Sequence, residues 1–179
     1  MSDRPETPIT AADASATPSP ARRRAAAITV STSAAAGTAA DRTGPVIVDW
    51  LAQRGFTAAL DVVPDGAGVA EAIRGALGDG ASVVVTTGGT GISPDDATPE
   101  AVRAVIDREL PGFGEELRRR GVAHGASALL GRGLAGTAGA ALVVALPGSP
   151  GGVRDGLDLL DGILDHALDQ LAGGGHGPR

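Results

Sequence analysis

The chain alternates short apolar runs with stretches in which apolar residues recur at helical spacing. The apolar runs predict β-strands at 25–30, 56–63, 81–86 and 140–146. The helical spacing predicts α-helices at 45–53, 69–77, 99–109 and around 115–120. Strands that alternate with helices are typical of an α/β domain whose mostly parallel sheet is covered by helices on both faces.

Two further segments complete this pattern near the end of the chain. Residues 134–137 predict a short strand at the edge of the sheet. A single last helix is predicted from Pro150 onward, with Ser149 as its N-cap, because apolar residues share one of its faces. These residues are Val153, Leu157, Leu160, Leu164, Leu168 and Leu171.

The two ends of the chain lack any apolar periodicity. Residues 1–24 are rich in Pro, Thr, Ala and Ser, and residues 173–179 are rich in Gly. Such segments bury too little apolar surface to offset the entropy lost on ordering. We therefore expect two disordered tails around one domain at 25–172, which agrees with the single domain that 179 residues predict.

Composition and charge exclude several classes of function. The chain has no Cys, and all 15 of its basic residues are Arg, which excludes thiolate chemistry, Schiff-base lysines and the lysine of a Walker A loop. A net charge of −6 argues against nucleic acid as a partner. No window reaches the roughly 18 to 20 apolar residues of a membrane span, so we expect a cytoplasmic protein without a membrane partner.

Four loops follow the predicted parallel strands, where ligands bind in open α/β sheets. They span 31–44, 64–66, 86–96 and 147–150, and the third is the richest in polar and glycine residues. Its segment 86–91 offers unshielded backbone N–H groups and three hydroxyls, as a phosphate cradle requires. The alternative is a tight strand-to-helix crossover that needs glycines for its conformation alone. The dinucleotide fingerprint G-x-G-x-x-G is not satisfied.

Carboxylates accompany this cradle. Asp95 and Asp96 follow the glycines within a few residues, and Asp41 and Asp65 lie in the two neighbouring loops. Carboxylates near bound phosphates usually hold Mg²⁺, so the residues alone indicate phosphoryl or nucleotidyl transfer on a small ligand. The alternative is that Asp65 and Asp96 are turn and N-cap residues.

Other polar and aromatic residues give weaker indications of a function. We expect surface positions for His124 and His166, and a packing role for Trp50 on the helix at 45–53. Phe113 lies between two glycines, which favours a loop anchor over a core position. The acidic residues of the last helix look like its solvated face: Asp155, Asp158, Asp161, Asp165 and Asp169.

Four motifs together resemble the molybdenum cofactor biosynthesis family of the MogA/MoaB type, which has a molybdopterin-binding domain. The first is Thr86-Thr87-Gly88-Gly89-Thr90-Gly91, followed by Asp96 and by Ala97-Thr98-Pro99-Glu100-Ala101. The others are Asp41-Arg42-Thr43-Gly44, the stretch 107–115 that includes Pro111-Gly112-Phe113-Gly114, and Leu146-Pro147-Gly148-Ser149-Pro150. The resemblance covers about residues 25 to 171.

The resemblance implies a three-layer α/β/α fold, a homotrimer, and an enzyme that adenylylates the phosphate of molybdopterin with Mg-ATP. It implies that Asp65 and Asp96 are the two catalytic carboxylates and that they hold Mg²⁺, with Asp41 and Asp95 as further candidates. The residues that it implies for ligand binding are Thr87, Gly88, Gly89, Thr90, Gly91, Pro147, Gly148 and Ser149. The alternatives are a non-catalytic pterin-binding or carrier protein of the same fold and, third, a nucleotide-binding regulatory domain.

Overall fold

The structure is a computed structural model that describes residues 23–173. The predicted tails fall almost entirely outside this range, so the predictions made for 1–22 and 174–179 concern residues that are not described. At the N-terminal boundary the first strand begins at Arg24, one residue inside the predicted tail. At the C-terminal boundary Gly173 is the last described residue, and it has a positive φ of 81° after the last helix.

The described chain contains six strands and seven α-helices. The strands are β1 Arg24–Val30, β2 Thr57–Val63, β3 Ala81–Thr87, β4 Arg108–Glu109, β5 Leu134–Ala138 and β6 Ala141–Leu146. The helices are α1 Thr32–Ala35, α2 Gly44–Gln53, α3 Gly68–Gly78, α4 Thr98–Arg103, α5 Pro111–Val122, α6 Pro150–Asp161 and α7 Leu164–Leu171. A 3₁₀ helix at Ala126–Leu130 follows α5.

The strands form one sheet in the order β2-β1-β3-β6-β5-β4. The first four in this order are parallel, and β5 and β4 are antiparallel additions on one side. Ile28 on β1 lies between Asp61 on β2 and Thr86 on β3, so these strands run in close register. The mostly parallel sheet predicted from the sequence is confirmed.

Helices cover both faces of the sheet because its central strands bury side chains on both sides. On one face α3 and α4 pack against β1, β3 and β6, through Ile28, Val69, Ile73, Val84 and Val102. On the other face α2, α5, α6 and α7 pack against the same strands, and their core includes Ile47, Leu51, Val85, Leu117 and Leu160. The three-layer α/β/α architecture is therefore confirmed, and its core is mainly aliphatic.

Two predicted elements near the antiparallel side of the sheet are present but differ from the prediction, one in its length and the other in its position. The helix predicted at 99–109 ends at Arg103, because the chain turns there to add β4 to the sheet. Asp107 N donates to Thr137 O over 2.6 Å, which brings β4 beside β5. Since β4 takes the outer position, β5 is not the edge strand that the sequence predicted.

The last helix and Phe113 also differ from the prediction. The apolar face predicted as one helix is divided between α6 and α7, which are separated by Gly162 and Ile163. The break lets Leu164 and Leu168 stay buried against the sheet after α6 ends. Phe113 belongs to α5 and is buried in the core, so it is not a loop anchor. Within residues 23–173, no helix has the length and apolar character needed to cross a membrane.

Candidate functional site at the carboxyl edge of the sheet

The loops after β1, β2, β3 and β6 meet at one edge of the sheet, because these four strands are parallel. Hydrogen bonds join the β3 loop to the β6 loop. Gly88 N donates to Leu146 O over 3.1 Å, and the Thr87 hydroxyl donates to Pro147 O over 2.9 Å. Thr87 is fully buried, so its hydroxyl holds the two loops together and does not line the pocket between them.

The glycine loop after β3 needs its glycines for two reasons. Gly88 has a φ of 100°, and a Cβ there would lie 2.1 Å from Val30 O at the end of β1. Gly89 has a φ of 60°, and a Cβ there would lie 2.4 Å from Thr98 Oγ1. The N–H groups of Gly89, Thr90 and Gly91 find no acceptor among residues 23–173. These unpaired N–H groups form a cradle that can bind anionic oxygens.

A pocket of about 680 Å³ opens beside this loop. This volume is in the range of small-molecule sites. One wall contains most of the residues predicted to bind a ligand, which are Gly88, Gly89, Thr90, Gly91, Pro147, Gly148 and Ser149. Ser149 also caps α6, since its Oγ accepts from Gly152 N over 3.1 Å, as the sequence predicted.

Asp65 reaches the glycine loop from the loop after β2. Its Oδ2 accepts from Thr32 N over 3.0 Å and from the Thr32 hydroxyl over 2.8 Å. Its Oδ1 lies 3.1 Å from the position that a Cβ of Gly89 would occupy. No described residue donates to Oδ1, so this oxygen is available to a ligand or a solvent molecule beside the loop.

Asp96 lies at the other end of the glycine loop and lines the pocket. Its Oδ2 accepts from Ser93 N over 2.9 Å, and a Cβ of Gly91 would lie 2.7 Å from the same oxygen. The N-cap of α4 is Ala97, so Asp96 does not cap this helix. Asp65 and Asp96 therefore border the Gly89–Gly91 stretch from its two ends.

Arg132 fixes the loop that carries Asp96. Its Nε donates to Gly91 O over 2.7 Å, and its Nη2 donates to the backbone carbonyl of Asp96. Its Nη1 pairs with Glu100 on α4, and its own N–H donates to Thr90 O over 2.9 Å. A planar guanidinium can hold several acceptors at once, so Arg132 ties the glycine loop to Asp96 and α4.

Asp41 lies after β1 at the same edge of the sheet, but its hydrogen bonds give it a structural role. Its Oδ2 accepts from the Thr29 hydroxyl over 2.7 Å, and its Oδ1 accepts from Thr43 N and Gly44 N over 2.9 Å each. Burial alone would raise the pKa of Asp41, but these hydrogen bonds outweigh burial and hold the pKa below its ordinary value. Asp41 thus anchors the start of α2, whereas Thr43, the N-cap residue of this helix, makes no side-chain cap hydrogen bond.

The remaining candidate, Asp95, is exposed and does not line the pocket. The opposite wall contains two residues that the sequence placed on the surface, His124 after α5 and Asp155 on α6. His124 Nε2 lies 3.8 Å from Asp155 Oδ2. No spacing in the sequence indicates this pair, because it arises from the packing of α5 against α6.

A metal site made by the protein alone is not present in the part of the chain that is described. No three His, Asp or Glu side chains of residues 23–173 come together in a way that could hold a metal ion. Mg²⁺ does not require a cluster of three protein ligands, because it is commonly bound through one or two carboxylates together with substrate phosphates.

Comparison with known proteins agrees with this geometry. A family model described as "Probable molybdopterin binding domain" matches residues 26–166. The chain is 37% identical to a molybdopterin adenylyltransferase of Pyrococcus furiosus, over 79% of this chain and 86% of that protein. It is 39% identical to a molybdenum cofactor biosynthesis bifunctional protein of Synechococcus elongatus, over 86% of this chain and 49% of that protein. The chain thus spans about half the length of such bifunctional relatives.

Solved structures show the same fold. The molybdopterin biosynthesis Mog protein from Mycobacterium ulcerans superposes with a TM-score of 0.80 at 48% identity, over 86% of this chain and 99% of that one. The tungsten cofactor synthesizing protein MoaB from Pyrococcus furiosus gives a TM-score of 0.77 at 35% identity, over 86% and 99%. With a family match over most of its length, the chain belongs to the molybdopterin-binding domain family of molybdenum cofactor biosynthesis proteins.

Proposed function

We propose that this chain binds molybdopterin in the pocket beside the glycine loop and adenylylates its phosphate with ATP. One observation carries the proposal: the N–H groups at Gly89–Gly91 lie between two carboxylates, Asp65 and Asp96, and among residues 23–173 neither these N–H groups nor one oxygen of each carboxylate has a partner. Relatives at 34–37% identity are named molybdopterin adenylyltransferase. The pocket is large enough for a drug-sized ligand.

In the proposed reaction, an oxygen of the molybdopterin phosphate attacks the α-phosphorus of ATP. A new P–O–P linkage joins AMP to the pterin, the bond between the α-phosphorus and its bridging oxygen breaks, and pyrophosphate leaves. Such transfers depend mainly on positioning and on stabilisation of negative charge. The N–H groups of Gly89, Thr90 and Gly91 orient phosphate oxygens, and Arg132 keeps this loop and Asp96 in place.

The side chains at this edge fit a magnesium ion. Asp65 Oδ1 and Asp96 Oδ1 accept no hydrogen bond from the described residues, and hard oxygen ligands are those that Mg²⁺ prefers. Asp65 and Asp96 would hold the ion. When bound, it would neutralise charge on the phosphates of ATP.

The proposal is tested by incubating the purified chain with molybdopterin and ATP, with and without Mg²⁺. The expected result is adenylylated molybdopterin and one equivalent of pyrophosphate, formed only when Mg²⁺ is present. Binding of molybdopterin without any transfer would contradict the enzymatic proposal and favour the carrier alternative. Transfer without added metal, in the presence of a chelator, would contradict the role of Mg²⁺.

A homotrimer and a cytoplasmic location belong to the same proposal. Both are supported by the resemblance to the family, and the exposed apolar side chains of Val46 and Leu60 are compatible with a subunit contact. Light scattering of the purified chain is expected to give three times the monomer mass. A monomer at micromolar concentration would contradict the trimer without affecting the proposed chemistry.

A further inference from the structure

Asp155 is a carboxylate on the pocket wall opposite the glycine loop, and the proposed reaction does not use it. It lies on α6, five residues after Pro150, and its side chain is only 23% exposed. No residue of 23–173 donates a hydrogen bond to either of its oxygens, and its one ion-pair contact is with His124. A carboxylate that has lost most of its hydration needs donors. In a pocket, these donors come from a ligand once solvent is displaced.

The contact with His124 does not supply the missing hydrogen bonds. His124 Nε2 lies 3.8 Å from Asp155 Oδ2, and the histidine side chain is 74% exposed. A charge-assisted hydrogen bond is roughly 2.7–2.9 Å long. Exposed ion pairs contribute little, because solvent screens the charges and the side chains lose entropy. Asp155 therefore keeps both oxygens for a ligand.

The pocket surface beside Asp155 is made of backbone and not of side chains. Gly151 and Gly152 precede Asp155 by four and three residues on α6, which is the spacing of one helix face, and both line the pocket. Gly121 and Gly125 also line it. Since no side chain projects from these positions, a planar ring can lie close to this wall with its edge at the carboxylate.

Charge limits which part of a ligand can lie at Asp155. A phosphate is repelled by a carboxylate, whereas N–H groups such as those of Gly89–Gly91 attract it. The two rings of the proposed reaction are a pterin and an adenine. The pyrimidine ring of a pterin presents an N–H and an amino group side by side, which gives two donors for two carboxylate oxygens. Adenine presents its amino group beside a ring nitrogen that only accepts, so it satisfies one oxygen and repels the other.

We propose that Asp155 is a specificity-determining residue that binds the pterin ring of molybdopterin through this pair of donors. The ring lies against the glycines of α6, and the phosphate lies in the cradle across the pocket. About 7.5 Å of helix separates Pro150 from Asp155, so the two ends of the ligand are held apart by roughly the length of a fused ring system. The inference rests on the proposed function, and it identifies the part of the pocket that selects the pterin over the adenine of ATP.

Calorimetric titration with molybdopterin in the absence of ATP tests the inference separately from catalysis. Asp155→Asn keeps the shape of the side chain but places an amide donor opposite a ring donor. It is expected to weaken molybdopterin binding roughly 10- to 100-fold, the size expected for hydrogen bonds to a charged group, and to change ATP affinity by no more than about twofold. If Asp155 only repelled the anionic ligand, the variant would bind more tightly. Tighter or unchanged binding, or an equal loss of ATP affinity, would overturn the inference.

Two further variants separate recognition of the ring from other effects of the charge. Asp158→Asn removes the same charge from an exposed position of α6 that does not line the pocket, and molybdopterin affinity should equal that of the parent. His124→Ala removes the ion pair and is expected to change this affinity by less than about fivefold. A loss in either variant as large as that in Asp155→Asn would overturn the inference.

A pair of ligands tests the edge of the ring that is recognised. The phosphate esters of hydroxymethylpterin and hydroxymethyllumazine differ at one position of the pyrimidine ring, where lumazine has a carbonyl in place of the amino group. Measured by displacement of bound molybdopterin, the parent is expected to prefer the pterin ester roughly tenfold, and Asp155→Asn is expected to lose this preference. Equal displacement by the two esters, or none by the pterin ester, would overturn the inference. If the parent does not bind molybdopterin, the proposed function fails together with it. If the parent binds molybdopterin and Asp155→Asn binds it equally well, the inference alone fails.

Discussion

Asp41 and Asp65 follow neighbouring parallel strands and reach the same edge of the sheet, yet their oxygens are used differently. Both oxygens of Asp41 accept hydrogen bonds, from Thr29 on one side and from the start of α2 on the other. Only one oxygen of Asp65 is engaged, by Thr32, and the other faces the glycine loop. The residue type is the same in the two cases, and both residues lie between a parallel strand and the next long helix. The number of unpaired oxygens is what distinguishes a structural carboxylate from one that can act on a ligand.

Asp96 extends this comparison to the loop after β3. It also engages one oxygen, with Ser93 N, and lines the pocket. Both oxygens of Asp41 accept hydrogen bonds, whereas Asp65 and Asp96 each keep one oxygen without a donor among residues 23–173, and of these two only Asp96 lines the pocket. Chemistry at this edge is therefore expected to depend on the two partly satisfied carboxylates and on the glycine loop between them, and folding is expected to depend on Asp41.

The largest effect is expected from closing the cradle itself. Gly89→Val introduces a branched side chain at a φ of 60°, where its Cβ would lie 2.4 Å from Thr98 Oγ1. The strain and the clash together should weaken molybdopterin binding by roughly a hundredfold or more. The measurement is molybdopterin affinity by calorimetry.

Gly139→Val is the matched control for this change. Gly139 has a similar φ of 56°, but a Cβ there would meet nothing within 4 Å, and the residue lies in the β5–β6 turn. It measures the cost of the backbone strain alone, and its molybdopterin affinity should equal that of the parent. Unchanged affinity in a folded Gly89→Val variant would contradict the assignment of the glycine loop.

The next effect concerns the two carboxylates at the ends of the loop. Asp65→Asn and Asp96→Asn retain the shape and one acceptor of the side chain but remove its charge. If these residues hold the metal, each change should lower turnover on the order of a hundredfold with little change in molybdopterin affinity. The measurement is AMP transfer at saturating ATP. Asp41→Asn is the control, and transfer by this variant, per folded molecule, should match the parent.

Unchanged transfer in both Asp65→Asn and Asp96→Asn would contradict the catalytic assignment and leave them as structural residues. Equal losses in all three Asn variants would contradict the comparison on which the assignment rests.

The sequence predicts the parallel half of this molecule well, for physical reasons. Strands β1, β3 and β6 are buried on both faces, so they are continuous apolar runs that can be recognised without knowing their neighbours. The loops that follow the parallel strands are marked by glycines and by Asp41, after β1, and Asp65, after β2. These local signals predicted the edge of the sheet at which the pocket lies.

The antiparallel half is predicted poorly, because its structure depends on contacts between distant residues. Strand β4 has two residues and is defined by hydrogen bonds to β5 that leave no local pattern. His124 and Asp155 line the pocket only because α5 packs against α6. Likewise, the burial of Thr98 Oγ1 follows from the fold around Gly89 and not from the motif in which Thr98 lies.

A smaller effect is expected at Arg132, which ties the glycine loop to Asp96 and α4. Arg132→Lys keeps the positive charge but removes the planar fork that bonds Gly91 O and the Asp96 carbonyl together. Looser positioning of the loop should lower kcat/KM for adenylyl transfer roughly tenfold. Arg103→Lys is the matched control, since Arg103 also forms a two-point pair, with Glu109, on the exposed surface. Equal effects of the two changes would contradict a specific role for Arg132.

The smallest effect on catalysis, and the clearest on stability, is expected at Asp41. Its pKa in the folded protein lies below the ordinary value of 3.8. The folded state therefore favours ionised Asp41. This contribution to stability is present above the pKa of the unfolded state and is lost as the pH falls through the pKa of the folded state.

Asp41→Asn should lower the free energy of unfolding by about 1 kcal/mol at neutral pH, and the difference in this free energy between variant and parent should narrow below pH 3.8. Chemical denaturation of both proteins from pH 7 to pH 3 measures this difference, and other titrating groups cancel because they are common to both. A difference that stays constant over this range would show that the charge of Asp41 contributes nothing, and Asp41 would then no longer differ from Asp65 in the way that its hydrogen bonds indicate.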